Sequence, residues 1–478
     1  MTFQELRFPS SPQPSLSIGA LTAAYADGAL DPAEVASLVH ARARDRAAEN
    51  IWITLRDLGD LRAGAAAIAA RWPDPAARPP LFGVPIAVKD NIDVAGLPTT
   101  AACPDFAYLP ASSSFLVRRL TEAGALIVGK TNLDQFATGL TGTRSPYGLC
   151  RSPFNPGYVS GGSSSGSALA VAHGLVSVAI GTDTAGSGRV PAAFTGTVGL
   201  KPSRGLVSGT GVVPACRSLD CPSVFATSVA DAEATLRAMA GFDPADPWSR
   251  AFADGEEGDQ GAPSARRVGV CDDRALAWVT DDEVAAAYRG SAARLAAAGV
   301  SVVEVDIAPL LAAGELLYGG PFVAERLSLL EDLLVKSPRS FFGDTRTVLL
   351  KAREIPAADA FRGMHRLAEL RLAARGLWRD VDAILLPTVP GIPTVREAQA
   401  DSQKVTSALG RYTNFTNLMD LAALAVPAGF RADGLPVGVT FHAPAGSDAL
   451  LARLASILTS PPIAAPVRGG QERGYARS

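Results

Sequence analysis

Histidine is scarce in this chain. Four copies occur in 478 residues, at positions 40, 173, 365 and 442, and none lies in a polar, Gly-rich setting. A serine nucleophile that relies on a neighbouring imidazole as its base therefore has no evident partner. His173, within ALAVAHGL, reads as a packed helix residue. Cysteine is almost as rare: five copies, at 103, 150, 216, 221 and 271, with no CxxC pair. That odd, scattered set argues for reduced thiols and against a disulfide framework. Cys216 and Cys221 flank Arg217 and Asp220 and read as small buried hydrophobes. Excess charge is missing too. The 44 Lys and Arg against 47 Asp and Glu leave a net −3, with no basic surplus for nucleic acid and no charge run for a membrane surface. The most apolar run, 168–180, is too short for a membrane span and is broken by His173, Gly174 and Ser177. The opening MTFQELRFPS lacks both the basic and the apolar segment of a secretion signal. No metal-ligand spacing or cofactor motif stands out. These absences predict a cytoplasmic protein with no cofactor, no metal, no nucleic-acid partner and no membrane partner.

What is present is apolar material, 47% of the residues, ample for a large core. Residues 1–80 read as helical, with Asp31 capping a helix that opens on Pro32. From Leu81 the texture changes to short apolar runs alternating with helical stretches: LFGVPIAVKDNID, GALIVGK, 175–180 and 198–201, then RRVGVC, VSVVEVD, VDAILLPTVP and GLPVGVTFHAP. This alternation predicts an α/β fold, a central mixed β-sheet covered by helices on both faces. One domain over 1–460 is expected: the helical region 1–80, a core at 81–240, a helical excursion at about 310–380 and returning strands at 381–445. The polar, Gly-rich stretch 250–266 reads as an exposed loop, and 461–478 as a flexible tail.

Three motifs compete for chemistry. GALIVGKT, residues 124–131, fits the phosphate-loop pattern GxxxxGK[ST] letter for letter. Its central Ala-Leu-Ile-Val, however, favours a buried strand over a glycine-rich cradle. SGGSSSGS, residues 160–167, has a linker's composition, yet GTDTAGSGR, residues 181–189, follows it closely and is again built of glycine and hydroxyl residues. Lys89 ends the apolar run GVPIAVK, so burial there would favour its neutral amine. A fall in its pKa from about 10.4 toward about 7 corresponds to about 4 kcal/mol, a demand a buried site can meet. A neutral lysine can replace the missing imidazole as base. Small residues before Ser187 leave backbone N–H groups unobstructed, as an oxyanion hole requires.

Taken in order, GVPIAVKDNI, GKTNLDQFATG, SGGSSSGSALAVA and GTDTAGSGRVPAAFTGTVGLKPSRG resemble the amidase signature family. The resemblance covers residues 81–240 strongly and 381–445 weakly, and the 24 residues from Ser163 to Ser187 match the family interval. It implies a Ser–cis-Ser–Lys triad: Ser187 as nucleophile, Ser163 as the serine after a cis bond from Gly162, and Lys89 as general base. The N–H groups of Thr184, Ala185, Gly186 and Ser187 would form the oxyanion hole. Ser164, Ser165 and Ser167 would be supporting hydrogen-bond partners.

Within the family, GGSSSGS, GTDTAGSGR and VVPACRSLDCPSVFA look like the allophanate hydrolase branch, as does GELLYGGPFVAERL, residues 314–327. That likeness implies a small anionic amide substrate held by Tyr318 and Arg326. An arginine fork pairs a carboxylate bidentately, and the two residues, eight apart, could share one helix face. GLTGTRSPYG, residues 139–148, is expected to wall the pocket through Gly142 and Thr143. The implied reaction converts allophanate to N-carboxycarbamate and ammonia, with no decarboxylating C-terminal domain in these 478 residues. A homodimer is expected. A malonamidase-like enzyme and the tRNA-dependent amidotransferases, through their amidase component, remain the alternatives.

Overall fold

The computed structural model describes residues 15–251 and 266–460. The tail 461–478, and nearly all of the loop expected at 250–266, lie outside the described residues. Among those residues the strands are β1 (Trp52–Leu55), β2 (Pro85–Lys89), β3 (Leu126–Thr131), β4 (Val178–Asp183), β5 (Val198–Lys201), β6 (Cys221–Ala226), β7 (Arg267–Cys271), β8 (Ser301–Val305), β9 (Ala383–Pro387), β10 (Leu421–Phe430) and β11 (Pro436–Pro444). They form one eleven-stranded sheet in the order β1-β3-β2-β4-β6-β5-β10-β11-β9-β7-β8. The sheet is mixed. β2 runs parallel to both β3 and β4, β4 is antiparallel to β6, and β7 is parallel to β8 and β9.

Successive side chains on a strand point to opposite faces, and both faces of this sheet are covered. Ile86, Val88, Ile180 and Val224 enter one apolar cluster. Ala87, Ala179 and Phe225 enter another, which also holds Val35 and Val39 of the Asp31-capped helix. That helix carries a reciprocal capping box between Asp31 and Glu34. Burial on both faces is why the central strands read as unbroken apolar runs rather than alternating ones.

The N-terminal 80 residues are not wholly helical. WITL forms β1, an edge strand antiparallel to β3, and its four half-buried residues carry little periodic signal. β6 and β10 are further strands that the sequence pattern does not mark. The helical excursion is present as Ala308–Gly319, Phe322–Lys336, Gly343–Ala352, Ala357–Ala373 and Leu377–Asp380.

GALIVGKT supplies β3 and makes no phosphate cradle. Lys130 is buried, with Nζ donating to Pro98 O and Thr99 Oγ1, both at 3.0 Å, and lying 3.4 Å from Asp90 Oδ1. Gly129 has a packing reason: a Cβ there would fall 2.4 Å from Thr54 O on β1. Gly129→Ala should therefore destabilise the protein by about 1–3 kcal/mol, the usual cost of overpacking. Urea unfolding checks this; an unchanged midpoint would contradict the close approach of β1.

Candidate active site

Two parallel neighbouring strands end side by side, the position at which α/β sheets gather ligands. Val88 of β2 lies in register with Ile180 of β4, so Lys89 reaches Thr182. Lys89 is fully buried. Its Nζ lies 2.8 Å from Ser163 Oγ, 2.9 Å from Ser164 Oγ and 2.8 Å from Thr182 Oγ1. Burial pulls its pKa down from 10.5 to about 7, against the opposing fields of Asp134, Asp220 and Asp183. None of these carboxylates forms an ion pair with it within 4 Å among the described residues.

The SGGSSSGS stretch wraps around this amine. The Gly162–Ser163 peptide bond is cis. Ser164 Oγ donates to Thr182 O at 3.1 Å, which fastens the turn to the end of β4. Ser165 begins the helix Ser165–Ala172. Ser167 Oγ lies 2.7 Å from Thr131 Oγ1 and donates to Ile180 O. Gly162 must lack a side chain, because a Cβ there would sit 2.1 Å from Asp134 Oδ2.

Ser187 follows β4 by four residues and is 2% exposed. Its hydroxyl has no hydrogen-bond partner among the described residues. The turn beneath it is held from several directions. Asp183 takes Gly186 N and Gly188 N, both at 3.0 Å, and pairs in fork fashion with Arg189 at 2.8 and 2.9 Å. Burial pushes the Asp183 carboxyl up, but Arg189, Lys201 and the Gly188 N–H together outweigh it, so its pKa lies below the usual value. Thr413 Oγ1 donates to Ala185 O at 2.7 Å, and Asn417 Nδ2 donates to both Asp183 O and Leu219 O. Thr184 Oγ1 donates to Asp220 Oδ1. The N–H groups of Thr184, Ala185 and Ser187 find no acceptor among the described residues. Gly186 departs from the expected oxyanion hole: its N–H is engaged by Asp183, because the Arg189-held carboxylate folds under the turn.

The remaining candidates flank this centre. Gly142 packs on the serine turn, since a Cβ would meet Ser160 Oγ at 2.6 Å and Gly161 O at 2.7 Å. Its N–H donates to Asp134, so its backbone supports the turn and does not offer a donor to the pocket. Thr143 Oγ1 lies 2.8 Å from Thr141 Oγ1. Tyr318 and Arg326 do not share a helix. The chain breaks at Gly320-Pro321 between Ala308–Gly319 and Phe322–Lys336, because proline lacks the donor a continuous helix needs. They still meet, with the guanidinium 5.6 Å from the Tyr318 ring centre. Arg326 is 2% exposed. It donates to Thr138 Oγ1 at 2.6 Å and to Ala137 O at 3.4 Å. It has no carboxylate within 4 Å among the described residues. Asp134 precedes that loop and donates its N–H to Ser163 O, so Arg326 and the serine turn brace the same segment. Tyr318 also faces a groove of about 1100 Å³, with Gly314, Pro393, Lys404 and Asn414 on its wall.

Sequence reasoning missed Thr182, Asp134, Asp220, Thr413 and Asn417. The first three lie inside quoted motifs, where their acid or hydroxyl character was the available signal. Thr413 and Asn417 lie in RYTNFTNL, more than 200 residues from the turn they hold, and nothing local marks them.

The profile of the Amidase family matches residues 41–452. The chain belongs to the amidase signature family. The urea amidolyase of Lachancea kluyveri is 48% identical over 380 residues, 79% of this chain and 20% of that protein. The chain thus spans about a fifth of the length of the urea amidolyases it matches. The amidase component of the glutamyl-tRNA(Gln) amidotransferase from a Synechococcus strain is 36% identical, over 76% of this chain and 80% of that one. Among solved structures, the Kluyveromyces lactis allophanate hydrolase superposes with a TM-score of 0.86 at 40% identity, covering 93% of this chain and 72% of that one. No helix among the described residues is long and apolar enough to cross a membrane.

The lysine environment makes a direct prediction. The Lys89 side chain should titrate near pH 7, read by NMR of selectively labelled lysine. A midpoint near 10.5 would mean that solvent reaches the amine.

Proposed function

We propose that the chain hydrolyses allophanate to N-carboxycarbamate and ammonia through an acyl-enzyme on Ser187. The observation that carries this reading is Arg326, a nearly fully buried guanidinium with no carboxylate partner among the described residues. A buried charge without a counter-ion is costly, and an anionic substrate would supply the missing partner. Tyr318 stands beside it as a ring and a hydroxyl for a small planar ligand. The likeness to urea amidolyase and to an allophanate hydrolase supports the same substrate. The 36% identity to the amidotransferase is lower, and the buried Arg326 favours the small anion.

The proposed steps follow from the donors and acceptors available. A neutral lysine has two N–H groups and one lone pair. Ser164 spends its proton on Thr182 O, so it receives an N–H from Lys89. The lone pair is then available to the Ser163 hydroxyl. Ser163 passes its proton to Lys89 as it takes one from Ser187, and Ser187 Oγ forms a bond to the terminal amide carbon. The oxyanion is held by the free N–H groups of Ala185 and Ser187, with Thr184 beside them. As the C–N bond breaks, the proton returns through Ser163 to the leaving nitrogen, releasing ammonia. Water cleaves the ester by the same relay in reverse.

One continuous sheet supports reading 1–460 as a single amidase domain. Five unpaired, buried cysteines support a reducing, cytoplasmic setting. Phe361, Met364 and Leu372, exposed along one helix, support a homodimer.

Ser187→Ala should abolish ammonia release from allophanate; retained turnover would refute the nucleophile. Arg326→Ala should cost allophanate about 1.5–3 kcal/mol, the worth of a charged hydrogen bond, read as kcat/KM, while a neutral amide of similar size loses far less. Equal losses would make Arg326 structural. Because Lys89 accepts a proton only when neutral, kcat/KM should fall as pH drops through about 7. A rate flat from pH 8 to 5 would remove its role as base.

A further inference from the structure

The turn under Ser187 and the helix carrying Arg326 are joined by one short loop. Asp220 accepts from Thr184 Oγ1 at 2.5 Å on the turn side. Its other oxygen takes Ala215 N at 2.7 Å and Cys216 N at 3.1 Å. The loop's opposite side is held by Glu325, the residue before Arg326. Glu325 accepts from Ser218 N and Ser218 Oγ, both at 2.7 Å, and from Cys216 Sγ at 3.0 Å. Asn417 closes the arrangement from below, bonding Leu219 O and Asp183 O together. Two half-buried carboxylates therefore spend their acceptor capacity on one short loop, 215–220, and on the turn. Such density of charge-assisted bonds is expected where geometry must be kept.

We propose that Asp220 and Glu325 are positioning residues: through the loop 215–220 they fix the register between the helix that presents Arg326 and the turn that presents Ser187. This rests on the reading of Arg326 as the anion-binding residue and Ser187 as the nucleophile. Neither carboxylate reacts. Their effect is to keep the substrate's carbonyl over the oxyanion donors once its carboxylate is on Arg326. A displacement of about 1 Å at such a site can cost about a hundredfold in rate. The charged and titratable groups facing Asp220 are Lys89, Arg326 and the Cys216 thiol, which Glu325 approaches from its other side. Burial raises the Asp220 carboxyl to about 6, with the Thr184 bond and Arg326 opposing. Asp220 in turn raises Lys89.

The test compares Asp220→Asn, Thr184→Val and Glu325→Gln on allophanate and on a neutral amide, alongside the thermal midpoint of each variant. Thr184→Val cuts only the bond between loop and turn and preserves side-chain shape, so it guards against a folding failure in Asp220→Asn. Both should lower kcat on the two amides at least about tenfold. Asp220→Asn should also move the acid limb of the pH profile to lower pH, because it removes a negative charge that favours the Lys89 ammonium. Glu325→Gln should raise KM for allophanate more than for the neutral amide. Rates within about threefold of the parent protein, or losses no larger than the unfolded fraction, would overturn the proposal. If the parent protein turns over the neutral amide but not allophanate, the substrate assignment fails alone. The register is then still read from the rate at which a fluorophosphonate labels Ser187, which should slow in Asp220→Asn and Thr184→Val; unchanged labelling would overturn it.

Discussion

The structure depends on burying one lysine without an ion-pair partner. Three hydroxyls, from Ser163, Ser164 and Thr182, surround Lys89 Nζ. A carboxylate in direct contact would hold the ammonium form and prevent proton uptake near neutrality. The nearby acids are occupied elsewhere. Asp134 takes Gly142 N and Arg144 N, Asp183 takes Arg189 and the 186–188 turn, and Asp220 takes the 215–216 backbone. Each acid is used to fix backbone around the lysine rather than to neutralise it. That division of labour explains why the serine turn can be so poor in side chains: its shape is imposed from outside.

The sheet sets where this can happen. β2 runs parallel to both β3 and β4, so the C-terminal ends of the three strands bring Lys89, Thr131 and Asp183 together. The antiparallel pairing of β4 with β6 brings Cys221 opposite Asp183, which delivers Asp220 to the turn. Segments 134–144 and 410–418 then cover the site from positions far apart in the chain. A long run of local turns held by distant hydrogen bonds keeps small residues ordered where propensity alone would leave them loose.

The centre of the candidate site is legible in the sequence because its residues concentrate in contiguous words. GVPIAVK could be read as a buried strand with a lysine at its end, and the apolar centre of GALIVGKT argued against a phosphate loop. The relation between elements was less legible. Gly320-Pro321 separates Tyr318 from Arg326, yet eight-residue spacing resembled one helical face. The engaged N–H of Gly186 depends on Asp183 and Arg189 folding under the turn, a three-dimensional closure with no local periodicity. β1 was hidden by its shortness and its half-exposed surface. Asn417 and Thr413 were illegible for a simpler reason: polar residues in a helix-rich stretch carry no mark of what they will face far away in the chain.

Arg326 shows how the site differs from a merely polar pocket. Other fully buried guanidiniums here are matched internally: Arg189 pairs with Asp183, and Arg144 bonds Thr138 O, Ser402 and Thr406 and lies 3.6 Å from Asp344. Arg326 has a threonine hydroxyl, a carbonyl and an aromatic face. Its adjacent Glu325 could have neutralised it but is turned instead toward Ser218 and Cys216. A fold that spends an available carboxylate on a loop leaves the neighbouring cation without one, as the proposed anionic substrate requires.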